Sequence, residues 1–501
     1  MTGISKIQWL EVLTALLLYA TVLVYQGYQY GDGDQSQILP CLYAQDHPEA
    51  YANDHYVQSY LHANVNERSV FHLLFRYLGY NQPWIFWLWH LILGTALFMA
   101  WLKIASLGIT HKVYQYLAVA SIFIIGYHTS TGSNELYYNM VIPSLAAKAL
   151  GSWGLYYWLK EDYTKWIVFV TIAGFLQPLV GFQLFLLTFI STFVQLGIDK
   201  KWKEIPWKKI LVYCIFTLPW LYLLARNNGG TTDPKAFMDI MEFRLSHHFF
   251  PSYFGWVNLL AFGLFALITM RFYKKRLKWF MIVIVLGCIA YTIGVESYRL
   301  PLALYTQWWK TTIWLEAFLF IALVVGLENY SPSPKVFTKF IMVIPGALLI
   351  LISIYRLSGW FGDKPEYVLP WSSAKSDEVD ISIQAAAITP EDAVFIIPID
   401  FTAFRWYSKR SLYVDYKALF HQEQFLKEWS KRIENIYAYS LQEKQGGFDI
   451  HVFSKTLLED PSLISTDYWK KLGISYIIST SHNIKSLTLV ASNDTYAIYK
   501  L

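Results

Sequence analysis

Apolar runs of helix length follow one another through the first 355 residues, parted by polar joints of which the first is long, and the pattern then changes to short mixed stretches. A helix crosses the hydrocarbon core of a bilayer with about 20 mostly apolar residues. By that measure about eleven spans are predicted, over residues 9–26, 84–107, 113–127, 141–159, 166–176, 180–196, 210–224, 254–270, 279–295, 311–327 and 340–355. Gln177-Pro178 parts two of the shorter runs. Proline removes a backbone donor, so these two read as short spans meeting in a bend.

The joints carry a charge pattern. With Lys6 in the cytoplasm, alternate joints hold Lys103 and Lys112; Lys160 and Lys165; Lys200, Lys201, Lys203, Lys208 and Lys209; Arg271, Lys274, Lys275, Arg276 and Lys278; and Lys335 and Lys339. The joints between them are poor in Lys and Arg, which is the positive-inside pattern of a multi-pass protein of the plasma (inner) membrane. The expected topology has a cytoplasmic N-terminus, a retained first helix rather than a cleaved signal, and an extracytoplasmic C-terminal region.

Two polar regions fall outside on this reading. The first, residues 27–83, is long for a connection. Val70, Phe71, Leu74, Phe75 and Leu78 recur there at helical spacing, with Arg68, His72 and Arg76 interleaved, and predict a helix along the membrane surface. The second begins at about residue 363. Strands are expected at 393–399, 412–416, 475–479, 487–491 and 495–499, an amphipathic helix at 423–433, and a turn at Gly446-Gly447. The expected architecture is an α-helical polytopic membrane domain over 1–362 with a C-terminal extracytoplasmic α/β domain over 363–501.

Composition agrees. The chain of 501 residues is 55% hydrophobic, 18% aromatic and only 15% charged, against about 25% charged for a soluble domain. The net charge of +5 belongs to the basic joints, and no basic face suggests nucleic acid as a partner. Of the three cysteines, Cys214 and Cys288 lie in apolar runs and Cys41 in the first polar region, so neither a disulfide framework nor a zinc knuckle is expected.

The candidate chemistry starts at Gly31-Asp32-Gly33-Asp34-Gln35, where the first apolar run ends. Glycines let the chain turn there and aim the two carboxylates back at the membrane surface. Asp54 and His55 follow in the same region. Three more clusters fall on the same side: His128 to Asn139 with Glu135; Arg244 to Pro251 with His247 and His248; and Glu296 to Arg299, continuing to Lys310. A carboxylate near the membrane surface suits a general base. Arg244, Arg299, Lys310 or the histidine pair would meet a leaving phosphate. A hydrophilic cavity shared by these groups is expected. Each has a plainer reading: Asp32 and Asp34 as a polar turn, Asp54 and Glu135 as helix caps, a lone arginine as a headgroup contact. Lys148, inside a predicted span, reads equally as functional or as a side chain reaching for the interface. No cofactor is implied with certainty. A divalent cation on Asp32, Asp34 and nearby histidines stays open.

In layout the chain resembles the GT-C superfamily of membrane glycosyltransferases. The features are a first helix, an acidic motif after it, a long first outside region with surface helices, further spans and an outside C-terminal domain. Arg244 to His248 and the stretch from Phe404-Arg405 to Lys417 are similar to uncharacterised bacterial membrane proteins of this plan. The resemblance implies a sugar donor linked to polyprenyl phosphate or diphosphate, an extracytoplasmic acceptor (glycan, lipid or protein), and inverting transfer with Asp32 or Asp34 as the base. A Trp-Trp-Asp signature of the oligosaccharyltransferase type is missing, which speaks against protein N-glycosylation. The alternatives are a transporter or flippase, for which repeated halves would be the sign, and a non-catalytic assembly scaffold in the membrane.

Overall fold

The computed structural model describes residues 6–63, 65–128, 131–132, 134–227, 231–330, 347–348, 350–351, 353–354, 365–372, 375–437 and 466–501. The chain is mostly helical and forms two compact units woven from separate stretches. One holds Met1–Tyr28, Phe86–Tyr222 and His247–Tyr367; the other holds Gln29–Ile85, Leu223–Ser246 and Val368–Leu501. The expected boundary at 362–363 and the turn at Gly446-Gly447 lie outside the described residues.

Six described helices are long and apolar enough to cross a membrane: Trp9–Gln26, Pro83–Ala105, Pro178–Ile198, Trp207–Asn227, Lys275–Ser297 and Pro301–Tyr330. Lys112–Ile124, Tyr163–Leu176 and Trp256–Phe272 are shorter apolar helices, and the helix Pro143–Leu159 covers the predicted span at 141–159. Together they take up the predicted spans from 9–26 to 311–327; most of 340–355 lies outside the described residues. The break at Gln177 is real: the residue is extended (φ −145°) between helices Tyr163–Leu176 and Pro178–Ile198.

In the first unit, polar side chains between apolar helices find partners, as a medium without water demands. The indole of Trp158 donates to Thr192 Oγ1 at 2.8 Å and that of Trp166 to Thr188 Oγ1 at 3.1 Å. Buried His90 bridges Tyr19 Oη at 2.8 Å and the carbonyl of Tyr138 at 2.9 Å.

The second unit contains a five-stranded sheet: β1 Val394–Ile396, β2 Ser411–Leu412, β3 Tyr476–Ser479, β4 Thr488–Ser492 and β5 Ala497–Lys500. The order is β2-β1-β3-β5-β4, with β1 parallel to β2 and β3, and β5 antiparallel to β3 and β4. Phe395, Ile397, Phe404, Leu412, Ile478 and Ile498 pack its core together with Ile381 and Ala385 from the helix Asp377–Ile388. The helix at 423–433 is present and extends over Glu423–Tyr437, and four of the predicted strands are present near their expected places, while the one expected at 412–416 is only Ser411–Leu412.

The described residues of the first polar region include the α-helices Leu39–Asp46, His55–His62 and Ser69–Leu78, all in this second unit. In the last of these the buried face is turned from the predicted stripe. Phe71, His72 and Phe75 are buried, while Leu73, Leu74 and Tyr77 are exposed. His72 goes inward because Tyr60 Oη meets its Nδ1 at 2.5 Å. Burial and the nearby Arg68 push its pKa down to about 3, so it is a neutral, structural group.

Candidate active site

The acidic turn belongs to the second unit, and its glycines are required. Gly31 and Gly33 have φ of +79° and +56°, the left-handed region. A Cβ on Gly31 would stand 2.4 Å from Trp406 Cδ1, so the backbone approaches the 404–408 helix where only glycine fits. Buried Gln35 closes the turn by accepting from the Gly31 amide at 2.8 Å. Tyr407 Oη donates to the carbonyl of Tyr30 at 2.7 Å.

The two aspartates then differ. Asp32 caps the short 3-10 helix Gly33–Gln37. Its Oδ1 accepts from the Gly33 amide at 2.6 Å and from the Thr402 hydroxyl. Asp34 points outward: its Oδ1 lies 2.8 Å from Lys417 Nζ, with 42% of the Asp34 side chain and 36% of the Lys417 side chain exposed. Asp34 thus has the accessible carboxylate and Asp32 the anchored one.

Lys417 is delivered by a buried ionic relay. Arg405 donates from Nε to Asp54 Oδ2 at 2.8 Å and from Nη1 to Asp415 Oδ2 at 2.5 Å. Asp415 Oδ1 in turn accepts from the backbone amides of Lys417 at 2.6 Å and Ala418 at 3.2 Å. Burial opposes the charge on Arg405, but the two carboxylates outweigh it and hold its pKa above the usual arginine value. Asp54, expected to face substrate, is fully buried. It caps the helix His55–His62 through Val57 N at 3.1 Å and also accepts from Leu412 N at 3.0 Å. No face is left for a ligand, and the plainer capping role is the one it plays.

Arg244 lies in the same unit. Its guanidinium stacks on Tyr416 (4.1 Å to the ring centroid) and donates to the carbonyls of Tyr416 at 2.5 Å and Lys417 at 3.4 Å. Burial lowers its pKa, while Tyr416, Asp415 and Asp34 act the other way. Arg68 also interacts electrostatically with Asp34. Its Nη1 and Nη2 hold Tyr56 Oη and Gln37 Oε1 at 2.9 and 3.1 Å. An open cleft of about 1070 Å³ in this unit is lined by residues such as His55, Asn227 and Lys431, and by none of Asp32, Asp34 or Arg244.

The remaining candidates belong to the first unit. Glu135 lines a cavity of about 20 Å³ with Gln26, Asn134 and Glu316, room for about one water. Its loop is pinned by Lys148, which is fully buried rather than reaching an interface. The ammonium donates to Asn134 Oδ1 at 2.8 Å, to Tyr138 Oη at 3.2 Å and to the carbonyl of Glu135. Asn134 also donates to the carbonyl of Lys310 at 3.0 Å, so Glu135 and Lys310 sit on adjoining segments. The rings of His247 and His248 lie 4.1 Å apart. Arg299, at φ +46°, sits 5.8 Å from the Phe250 ring centroid, and Glu296 Oε1 accepts from the Ser252 amide at 2.8 Å. The third and fourth clusters therefore meet.

A divalent cation at Asp34 would confront the Lys417 ammonium, and Asp32 Oδ1 is already taken by two donors. Among the described residues no three His, Cys, Asp or Glu converge as metal ligands. The residues do not fit a cation at the acidic turn. Lys417, Thr402 and Arg68 complete the surroundings of the two aspartates. Of these, Lys417 had a sequence signal as the end of the stretch beginning at Phe404-Arg405, Arg68 only as a polar position of the predicted surface helix, and Thr402 none.

Residues 377–436 match the model of a family described as a domain of unknown function (DUF6798). That stretch contains Arg405, Asp415 and Lys417. No curated protein matches the chain by sequence. Among solved structures, the chain is similar to ArnT from Cupriavidus metallidurans bound to undecaprenyl phosphate. The identity is 12% and the TM-score 0.39, over 99% of this chain and 98% of that one. ArnT in the apo state gives 13% and 0.39, over 98% and 97%. An oligosaccharyltransferase from Archaeoglobus fulgidus, tethered to an acceptor peptide, gives 11% and 0.45, over 95% of this chain and 69% of that one.

Proposed function

We propose that the chain is a membrane glycosyltransferase that moves a sugar from a polyprenyl-phosphate or polyprenyl-diphosphate donor to an extracytoplasmic acceptor. The observation that carries this reading is the pairing of the accessible Asp34 carboxylate with Lys417 on a rigid, glycine-bent turn. A base needs an exposed carboxylate held in one direction, and the chemistry needs a cation for the phosphate. Asp34 is the base and Asp32 the residue that holds its turn.

In the reaction, the acceptor's oxygen or nitrogen attacks the anomeric carbon from the face opposite the phosphate. The bond from that carbon to the phosphate oxygen breaks, and its electron pair leaves with the phosphate. Asp34 takes the proton of the acceptor. One displacement inverts the configuration. Glu135, His247, His248, Arg299 and Lys310 are assigned to substrate contacts of the first unit, and the topology with N-terminus inside and Asp34 outside is part of the same reading.

The lipid that copurifies with the full chain from its own membrane, identified by mass spectrometry, tests this. A polyprenyl phosphate or a sugar carried on one is expected. Bulk phospholipid alone would overturn the lipid-donor reading.

A further inference from the structure

Three cations lie around Asp34, and they are not equivalent. Arg244 is fixed by the Tyr416 ring and two carbonyls, and Arg68 by Gln37 and Tyr56. Lys417 has its backbone fixed at both ends, its amide by Asp415 and its carbonyl by Arg244. Its amine meets Asp34, in a pair whose side chains are each more than a third exposed. Exposed ion pairs are weak and exchange readily. The phosphodiester of a lipid-linked sugar offers an ammonium two charge-bearing oxygens, and a diphosphate carries a second charge, so either competes for an ammonium held by one exposed carboxylate.

We propose that Lys417 is an exchangeable partner. In the resting chain it holds Asp34; the phosphate of an arriving lipid donor takes Lys417 over, and Asp34 is released to receive the acceptor's proton. The buried Asp54–Arg405–Asp415 relay serves this step by keeping the Lys417 backbone at a fixed distance from the acidic turn while the amine swings. The base is then unmasked only when a donor is present, which keeps the site from acting on an acceptor alone. This inference rests on the reading of Asp34 as the base and adds the group that switches it.

The test uses the purified full chain, with farnesyl phosphate as the probe and farnesol and inorganic phosphate as controls, titrated by calorimetry. Wild type is expected to bind farnesyl phosphate more tightly than either control. Lys417→Gln should weaken that binding about tenfold, because a charge-assisted contact is lost, and Lys417→Arg should restore most of it. Asp34→Asn should tighten it about threefold, because the phosphate no longer competes with a carboxylate in an exposed pair. That opposite sign is what a merely structural pair would not give. Unchanged or weaker binding in Asp34→Asn, or wild-type affinity in Lys417→Gln, overturns the exchange. Inorganic phosphate binding as tightly as farnesyl phosphate overturns the lipid form of the proposal. Turnover on the same preparations separates the two readings. An inactive Asp34→Asn with unchanged phosphate affinity keeps the base and removes the exchange. An active Asp34→Asn with tightened affinity keeps the exchange of partners and removes the base.

Discussion

Arg405 Nε lies 2.8 Å from Asp54 Oδ2, with 1% of either side chain exposed, although 351 residues of chain separate them. The first polar region and the C-terminal part of the second unit are therefore tied by a bond that water does not reach. Such a pair costs desolvation, and replacing it whole by apolar groups need not weaken a fold. Breaking it from one side is different, because a carboxylate is left buried without its partner.

Arg405→Met is accordingly expected to destabilise the second unit by about 3–5 kcal/mol, since it strands both Asp54 and Asp415. Hydrogen exchange on the full chain checks this. Protection should fall at Leu412, whose amide donates to Asp54, and at Lys417, whose amide donates to Asp415. Wild-type protection at both amides would show that the relay does not hold the segment.

Lys409 offers a pH prediction. Its ammonium lies 3.0 Å from the ring centroid of Trp406 and 4.6 Å from that of Tyr43. Burial lowers its pKa to about 6, while the two aromatic faces favour the cation and oppose the shift. With the folded value depressed, the unfolded chain holds one more proton between about pH 6 and the ordinary lysine range. Stability contributed here therefore rises with pH across that window. Thermal unfolding of wild type at pH 6 and pH 8 should show the rise, and Lys409→Met should flatten it. Equal slopes for the two proteins would mean that the rings cancel the cost of burial.

The apolar period of the spans was legible in the sequence because it is a local property, and so were the five strands of the C-terminal sheet. The partition into units was not. Residues 29–85 and 223–246 join the sheet through contacts such as Arg405 with Asp54 and Arg244 with Tyr416, which no window of sequence contains. At the candidate site, Gly31 and Gly33 announced the turn. The split of roles between Asp32 and Asp34 depends on Thr402 and Lys417, nearly four hundred residues on. The sequence around Lys148 does not show its role, because the acceptors that hold its ammonium lie in a loop without periodicity.

Glu423 carries a dependence of the same sign in a lower pH window. It pairs with Lys427 at 2.6 Å and accepts from Thr232 Oγ1 at 2.7 Å, from the Thr232 amide and from the Asp233 amide at 3.1 Å. The hydrogen bonds from Lys427 and Thr232 hold its pKa at about 2. A depressed carboxylate contributes stability that is complete above its unfolded value, near 4.5, and is lost as pH falls toward 2. Protection of the Thr232 and Asp233 amides should drop across that interval in wild type. In Glu423→Gln it should be low and flat. Protection that does not change down to pH 2.5 would contradict the assignment.

The last prediction separates the two aspartates of the turn. Asp34→Asn keeps the shape of the side chain and removes its basicity, so turnover should fall by about 10²–10⁴ if Asp34 takes the acceptor's proton. Asp32→Asn removes a charge too, but its amide oxygen can still accept from the Gly33 amide and the Thr402 hydroxyl, the two donors that Asp32 Oδ1 holds. The turn should persist and turnover should fall less than about tenfold, because the two hydrogen bonds lose only their charge assistance. Thr402→Val, which removes one donor and leaves both carboxylates, should resemble Asp32→Asn. The assay needs purified full-length protein, a defined lipid-linked sugar donor, and a thermal unfolding check that each variant is folded. If Asp32→Asn is the variant that loses activity, the roles are reversed and Lys417 guards a bystander. If both Asn variants turn over like wild type, neither carboxylate is the base. The Gly-bent pair is then a polar turn whose work is to carry the chain from the first apolar helix to the helices that follow it.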